Sequence, residues 1–166
     1  MDPTLDRLFR HMAWGNAYVF ARLSEISPDA WLLTAPNNEW SVAAIAEHLA
    51  GAAGFYVTRL DGNAPASRER LAIPATKAEL LQLAQYCGEA DIALRKLASL
   101  PDAMTTYQRG GETVTRARST ILAQSIHHAT EHRSQIAGVL SGHKINAIDL
   151  DEIDLWGLGD AEGLGE

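Results

Sequence analysis

The 166-residue sequence contains a single cysteine, Cys87, which excludes an internal disulfide. It also lacks any run near the roughly 20 apolar residues that a membrane-spanning helix needs, because charged residues recur within every helical segment. Its N-terminus has no apolar stretch of the kind found in signal peptides. We therefore expect a cytoplasmic protein that does not associate with membranes.

Positive charge is scarce as well, and the net charge is −7. A general nucleic-acid binder needs a basic surface to displace phosphate counterions, so we do not expect nucleic acid as a partner. The acidic excess is concentrated in residues 143–166, which contain seven acids and one base. We accordingly predict one helical domain over residues 1–142, followed at 143–166 by an acidic tail that packs on this domain or extends from it.

What the sequence does contain is apolar residues at intervals of three and four, which predict four long helices. These cover approximately residues 4–26, 41–60, 76–100 and 119–141, and Gly142 is predicted as a left-handed residue that ends the last one. Four helices of similar length favour a four-helix bundle. The predicted fold class is therefore all-α.

Two local signals refine this prediction. Thr76 is followed three residues later by Glu79, the pattern of a capping box at the start of the third helix. Residues that favour strands lie on both sides of Gly110 and Gly111, which predicts a short β-hairpin over residues 105–116, before the last long helix.

The fourth helix contains the sequence IHHATEHRSQI, in which His128 and His132 are four residues apart. This spacing places them about 40° apart around the helix axis, on a face flanked by Ser125 and Gln135. His127 is rotated by about 100° and is not expected to join them. His48 lies on the inward stripe of the second helix. An adjacent helix in a bundle can bring this third imidazole to the same point.

Three neutral imidazoles can bind zinc, nickel, iron or copper and leave at least one coordination position open. The alternative is that each histidine is a hydrogen-bonded core residue, since HxxxH without the Glu of an HExxH helix also occurs by chance. Burying three imidazoles without a ligand costs desolvation energy, which favours the metal. We therefore predict a divalent metal site at His48, His128 and His132.

Several charged residues lie near these histidines in the sequence or in the predicted fold. Glu47 and Glu131 adjoin predicted ligands but point about 100° away from them, so surface salt bridges are expected rather than a role as general base. Arg116, Arg118 and Arg133 either bind an anionic substrate or pair with acids on the surface. No catalytic residue is assigned.

Uncharged residues complete the set of candidates. Asn16 is predicted as a hydrogen-bonded core amide, and Asn16 and Gln124 are weak candidates for supporting the ligands. Cys87 is predicted to be a small buried hydrophobe rather than a nucleophile. Four tryptophans either wall a pocket or fill the core: Trp14, Trp31, Trp40 and Trp156.

Three segments together resemble the DinB-like (YfiT-like) metalloenzyme family: HMAWGN, EWSVAAIAEHLAGAAGFYVTRL and HHATEHRSQIAGVLSG. The resemblance covers nearly the whole chain. It implies up-down-down-up connectivity, often a homodimer, and a three-histidine metal site near one end, with the ligands at His48, His128 and His132. The chain differs in having Ser134 where many members have Gly, and Gly15 where many have Ala. Neither difference affects a ligand.

The first hypothesis is a metal-dependent enzyme that acts on a small molecule, with zinc, nickel or iron as the ion. It is either a hydrolase, in which the ion activates water, or a transferase that uses a low-molecular-weight thiol, since the resemblance includes thiol-dependent transferases and isomerases. A second hypothesis is a non-catalytic, dimerising bundle in which the ion staples the second helix to the fourth. The enzyme needs an open coordination position, whereas the staple predicts a closed coordination sphere.

Overall fold

The computed structural model describes residues 1–36, 38–61 and 71–164. Over these residues the chain is mostly helical, with a small two-stranded sheet, so the predicted all-α class is confirmed in this broad sense. The elements in chain order are α1 (Pro3–Glu25), a 3₁₀ turn (Pro28–Leu32), α2 (Val42–Asp61), α3 (Lys77–Leu97), β1 (Met104–Arg109), β2 (Glu112–Ala117), α4 (Arg118–Gly142), a 3₁₀ turn (Asp151–Ile153) and α5 (Leu155–Ala161).

Side chains fix where these helices begin. The Asp2 carboxylate accepts hydrogen bonds from the first backbone amides of α1. The predicted capping box of α3 is present, because Thr76 Oγ1 accepts from the Glu79 amide while the Glu79 carboxylate accepts from the Thr76 amide. At the start of α4 the same function falls to Asp102, which accepts from the amide and hydroxyl of Ser119.

The predicted end of α4 was wrong in one detail. Gly142 is the last helical residue, and the left-handed residue is Lys144, with φ of 62°. The amide of Ile145 donates to the carbonyl of Leu140, and that of Lys144 to the carbonyl of Ser141. These hydrogen bonds satisfy the last carbonyls of the helix. The left-handed residue therefore lies two residues after the predicted position, Gly142.

The four long helices pack so that α1 and α2 each contact both α3 and α4. Their shared core contains the largest fully buried side chains, which are Trp31, Phe9, Met12, Leu23, Ile45, Leu49, Leu80, Leu94, Ile136, Leu140, Val19 and Val42. The contact between α2 and α4 matters most for the site, because His48 lies on the first of these helices and His128 and His132 lie on the second.

A glycine allows α2 and α3 to approach closely. A Cβ atom at Gly54 would overlap the hydroxyl of Tyr86 on α3. The packing of these two helices therefore depends on the missing side chain at this position.

The predicted hairpin is confirmed and extends one residue further at each end. Its strands pair antiparallel, from Met104 opposite Ala117 to Arg109 opposite Glu112, and the turn uses Gly110 and Gly111 at positive φ. The hairpin leans on α2 through the Arg59 guanidinium, which lies 3.5 Å from the ring centroid of Phe55 and 3.8 Å from that of Tyr107.

Much of the acidic segment after α4 lies against α1. His11 Nε2 donates to the carbonyl oxygen of Ile153 over 2.7 Å, and Arg10 forms an ion pair with Glu162. The side chains of Ile153 and Leu158 are buried. None of the helices in the described ranges combines the length and the apolarity needed to cross a bilayer.

Candidate metal centre

The three predicted ligands come together between α2 and α4. His48 Nε2 lies 3.1 Å from His128 Nε2, and His132 Nε2 lies 3.0 Å from the same atom. The ligand nitrogens of all three residues fall within 4.8 Å of one another. His132 is buried, with 7% of its surface exposed, whereas His48 and His128 are partly buried.

These distances suit a shared ion. Two nitrogens bound at 2.0–2.1 Å to one tetrahedral centre are about 3.3 Å apart. The observed separations of 3.0 and 3.1 Å are close to that value. The three histidines are thus positioned to hold a divalent metal ion.

A hydrogen bond sets the protonation of His132. Its Nδ1 lies 2.7 Å from Oε1 of Gln135, an atom that can only accept, so Nδ1 carries the proton and donates it. In the neutral ring the lone pair is then on Nε2, the nitrogen that faces His128. Gln135 therefore holds His132 in the tautomer that a metal ion requires.

His128 is held in its neutral form. Burial, followed by the charges of His132 and His48, lowers the pKa of His128 to about 4. At neutral pH its imidazole is therefore unprotonated and available as a ligand without the loss of a proton.

Aromatic rings border the histidines. Trp40, with 42% of the residue exposed, places its ring edge-on to His48 with centroids 4.7 Å apart and stacks it on His132 at 6.2 Å. The Tyr56 ring lies edge-on to His128 at 5.7 Å. Burial raises the pKa of the Tyr56 phenol, which keeps its hydroxyl protonated at neutral pH.

A cleft of about 420 Å³ opens beside this cluster. Its lining follows two adjacent stripes of α2 and reaches α4 at one residue: Glu47, His48, Gly51, Ala52, Phe55, Tyr56 and His128. Two of the three candidate ligands therefore face a space large enough for a small molecule.

Glu47 corrects one of the predictions. Its side chain was expected to form a salt bridge on the surface, but only 6% of the residue is exposed and it lines the cleft. Within the described parts of the chain it makes no ion pair or hydrogen bond through its carboxylate. Because α2 is buried on nearly all sides, the 100° rotation from His48 did not bring Glu47 to solvent.

Arg133 was also predicted wrongly, both as a substrate-binding and as a surface residue. It is buried, and its Nη1 donates to Oδ1 of Asn16 over 2.9 Å, while Nδ2 of Asn16 donates to Oδ2 of Asp91 over 2.9 Å. The amide of Asn16 thus connects a buried cation to a buried anion. This confirms the prediction that Asn16 is a hydrogen-bonded core amide. Gly15 makes room for the guanidinium, since a Cβ there would lie 3.1 Å from Arg133 Nε.

Burial dominates the ionisation of this network. It raises the pKa of Asp91 to about 6 and lowers that of Arg133 to about 10. It also raises the pKa of the buried Cys87 thiol, which fits the prediction that Cys87 is an inert core residue. A cavity of about 10 Å³ lies between Asp91 and His128, room for about one water molecule.

The remaining candidates lie away from the three histidines. Gln124 is exposed, and its side chain forms a hydrogen bond with the Tyr56 hydroxyl. Arg116 is exposed on β2, where it donates to the carbonyl of Thr115. Arg118 and His127 line a separate apolar cavity of about 480 Å³ between α1 and α4. The prediction that His127 points away from the other two histidines of its helix is therefore confirmed.

Reasoning from sequence missed three residues of this site. Trp40 was expected, like the other three tryptophans, to wall a pocket or fill the core, and nothing in its spacing related it to the ligands. Asp91 was not singled out at all. The run of small residues after His48 is the sequence feature that could have indicated the burial of Glu47, since such a run is typical of a helix packed closely on more than one side.

Comparison with known proteins points to one family. The model of the DinB family matches residues 1–153 of the chain. No curated protein and no solved structure matches the chain.

Proposed function

Because the chain belongs to the DinB family, we propose that it is a metal-dependent enzyme whose divalent ion is bound by His48, His128 and His132. The observation that carries this proposal is the convergence of three Nε2 atoms, with neighbouring pairs 3.0 and 3.1 Å apart, from two separate helices. The hydrogen bond from His132 to Gln135 supports it, because it leaves the converging nitrogen free to coordinate.

The donor set fits the ions expected from sequence. Three neutral imidazole nitrogens suit zinc, nickel or iron, whereas calcium and magnesium prefer oxygen ligands. When bound, such an ion supplies Lewis acidity towards an oxygen or sulfur atom of a substrate or cofactor. The cleft of about 420 Å³ favours the enzyme over the closed metal staple, because it gives a small molecule access to His48 and His128.

The proposed reaction is hydrolysis, or transfer of a group to or from a low-molecular-weight thiol. The chain would contribute binding and orientation: Trp40 shields two ligands from solvent, and the Tyr56 hydroxyl is a protonated donor beside the third. A small substrate is proposed because the cleft is of small-molecule size.

The proposal also includes the assembly. We infer a four-helix bundle with up-down-down-up connectivity over residues 1–142, an acidic tail at 143–166, and a homodimer in the cytoplasm. The contacts of α1 and α2 with both α3 and α4 support the bundle. Light scattering coupled to size-exclusion chromatography tests the dimer, and a monomer at micromolar concentration would contradict it.

Elemental analysis of the purified protein tests the metal site. We expect close to one divalent ion per chain, and its loss in His128→Ala. His127→Ala is the matched control, because this neighbouring histidine lines a different cavity. Equal metal content in the two variants would refute the site.

A second variant distinguishes the enzyme from a non-catalytic bundle in which the ion only links α2 to α4. His132→Ala should abolish turnover in a screen of thiol-transfer and ester- or amide-hydrolysis substrates, while the circular dichroism spectrum stays unchanged. Saturation with metal but no turnover under any condition, together with reduced thermal stability of the variant, would favour the staple.

A further inference from the structure

Glu47 is a buried acid for which the described residues provide no side-chain partner. Only 6% of the residue is exposed, and in the described ranges no basic side chain, hydroxyl or amide pairs with its carboxylate. A carboxylate removed from water is ordinarily compensated by a cation or by hydrogen bonds, since desolvation of an unpaired charge is costly. The Glu47 carboxylate is not among the enclosed unpaired atoms of the described residues, so it faces the cleft, and its polar partner is whatever occupies the cleft.

The position of Glu47 relative to the histidines indicates where that compensation would come from. Glu47 lines the cleft together with His48 and His128, so one small molecule in the cleft can reach the carboxylate and the candidate metal centre together. Gly51 and Ala52, one turn further along α2, leave the space open.

Apart from the proposed metal ion, the charged side chains around the cleft favour a positively charged group next to Glu47. Among the described residues, its lining contains one carboxylate and no lysine or arginine. The nearest basic residue further along α2 is Arg59, whose guanidinium is packed between the rings of Phe55 and Tyr107 rather than on Glu47. The aromatic walls formed by Phe55 and Tyr56 also favour a cation.

We propose that Glu47 is a specificity-determining residue that binds a protonated nitrogen of the substrate or cofactor thiol. The cleft would then take a small molecule that carries an ammonium group and, a few bonds away, the oxygen or sulfur atom that approaches the three histidines. The ammonium donates to the Glu47 carboxylate. This inference rests on the proposed function, because it names the ligand class of the same site.

The first experiment compares 2-phenylethylamine with 2-phenylethanol on the protein as purified, by NMR titration. The two probes share an aromatic body, but only the amine is protonated at neutral pH. We expect the amine to bind about tenfold more tightly or better, as is typical of a hydrogen bond to a charged group. Glu47→Gln should reduce the difference to about twofold, because the isosteric amide keeps the shape but loses the charge.

The matched control is Glu131→Gln. Glu131 also precedes a candidate ligand directly but is exposed. It should retain the preference for the amine. No preference in the unmodified protein, or an equal loss of preference in the two variants, would overturn the proposal.

The second experiment adds the metal. In cobalt(II)-loaded protein, binding of cysteamine and of 2-mercaptoethanol is followed through the cobalt–thiolate absorption band. Glu47→Gln should weaken cysteamine binding by about tenfold and leave 2-mercaptoethanol binding unchanged, a comparison that cancels the difference in acidity between the two thiols. A protein that takes up no cobalt would defeat the proposed function, while the phenylethylamine comparison would still decide the role of Glu47. The same affinity for cysteamine in cobalt-loaded Glu47→Gln as in the cobalt-loaded unmodified protein would overturn the role of Glu47 and leave the metal site intact.

Discussion

His132 donates a hydrogen bond from Nδ1 to Oε1 of Gln135, 2.7 Å away and almost one turn further along α4. Because this bond fixes the tautomer, Gln135→Ala should weaken metal affinity by about 10- to 100-fold, the usual effect of removing an outer partner of a ligating histidine. Competition with a chromogenic chelator measures the change. Gln124→Ala is the control, since Gln124 acts on Tyr56 rather than on a ligand. Equal affinities for the two variants would contradict the assignment.

Trp40 should report metal binding by fluorescence. Its ring lies 4.7 Å from that of His48 and 6.2 Å from that of His132, so a paramagnetic ion at the site would quench its emission. Addition of nickel should lower the fluorescence of the unmodified protein and have a much smaller effect on Trp40→Phe. Trp156→Phe, which replaces an exposed tryptophan on α5, should retain the quenching. Unchanged quenching in Trp40→Phe would place the ion elsewhere.

Asp91 should make stability depend on pH. Burial raises its pKa from 3.8 to about 6, against the smaller opposing effects of Asn16 and Arg133, so the folded state binds this proton more tightly than the unfolded state. The contribution of Asp91 to stability is complete below about pH 4 and is lost as the pH rises through 6. The loss corresponds to roughly 2–3 kcal/mol.

Asp91→Asn isolates this effect from the histidines, whose titration the two proteins share. The free energy of unfolding of the variant, relative to the unmodified protein, should increase by roughly 2 kcal/mol between pH 4 and pH 7. Urea denaturation at a series of pH values measures it. A constant difference across this range would mean that Asp91 titrates normally.

Gly54 should not tolerate a methyl group. Alanine normally stabilises a helix relative to glycine, by about 1 kcal/mol. At Gly54 the added Cβ would overlap the Tyr86 hydroxyl, so Gly54→Ala should instead lower stability by about 1–3 kcal/mol. Gly138→Ala is the control, because Gly138 lies within α4 with nothing within 4 Å of the added carbon. Gly138→Ala should be more stable than the unmodified protein, and stabilisation of both variants would show that the Tyr86 ring moves aside at no cost.

The fold was predictable where local signals were strong. The capping box at Thr76 and Glu79 and the paired glycines of the hairpin are short-range patterns, and the structure contains both. The predicted end of α4 at Gly142 failed because Lys144 adopts the left-handed conformation, which a sequence pattern assigns to glycine by default.

The site was predictable only in part, for a related reason. The pair of His128 and His132 follows from helical periodicity, and His48 from an inward stripe, so all three could be proposed from sequence. Glu47 was wrongly placed because a rotation of 100° from His48 was expected to lead to solvent, and Arg133 because an arginine was expected to bind substrate or lie on the surface, whereas both are buried. Arg133 is buried because Asn16 and Gly15, on another helix, supply an acceptor and the necessary space. Such tertiary compensation has no local signal in the sequence.

Because the three histidines are divided between two helices, the distance between His48 and the other two depends on the spacing of α2 and α4. His128 and His132 move together on α4, which is held to α1 by the bonds from Arg133 to Asn16, whereas His48 moves with α2. A coordination site tolerates displacements of only about 0.5 Å before its geometry is lost. Affinity for the proposed ion would therefore be a sensitive measure of the spacing between α2 and α4, and a change that pushes these helices apart would weaken metal binding before it unfolds the protein.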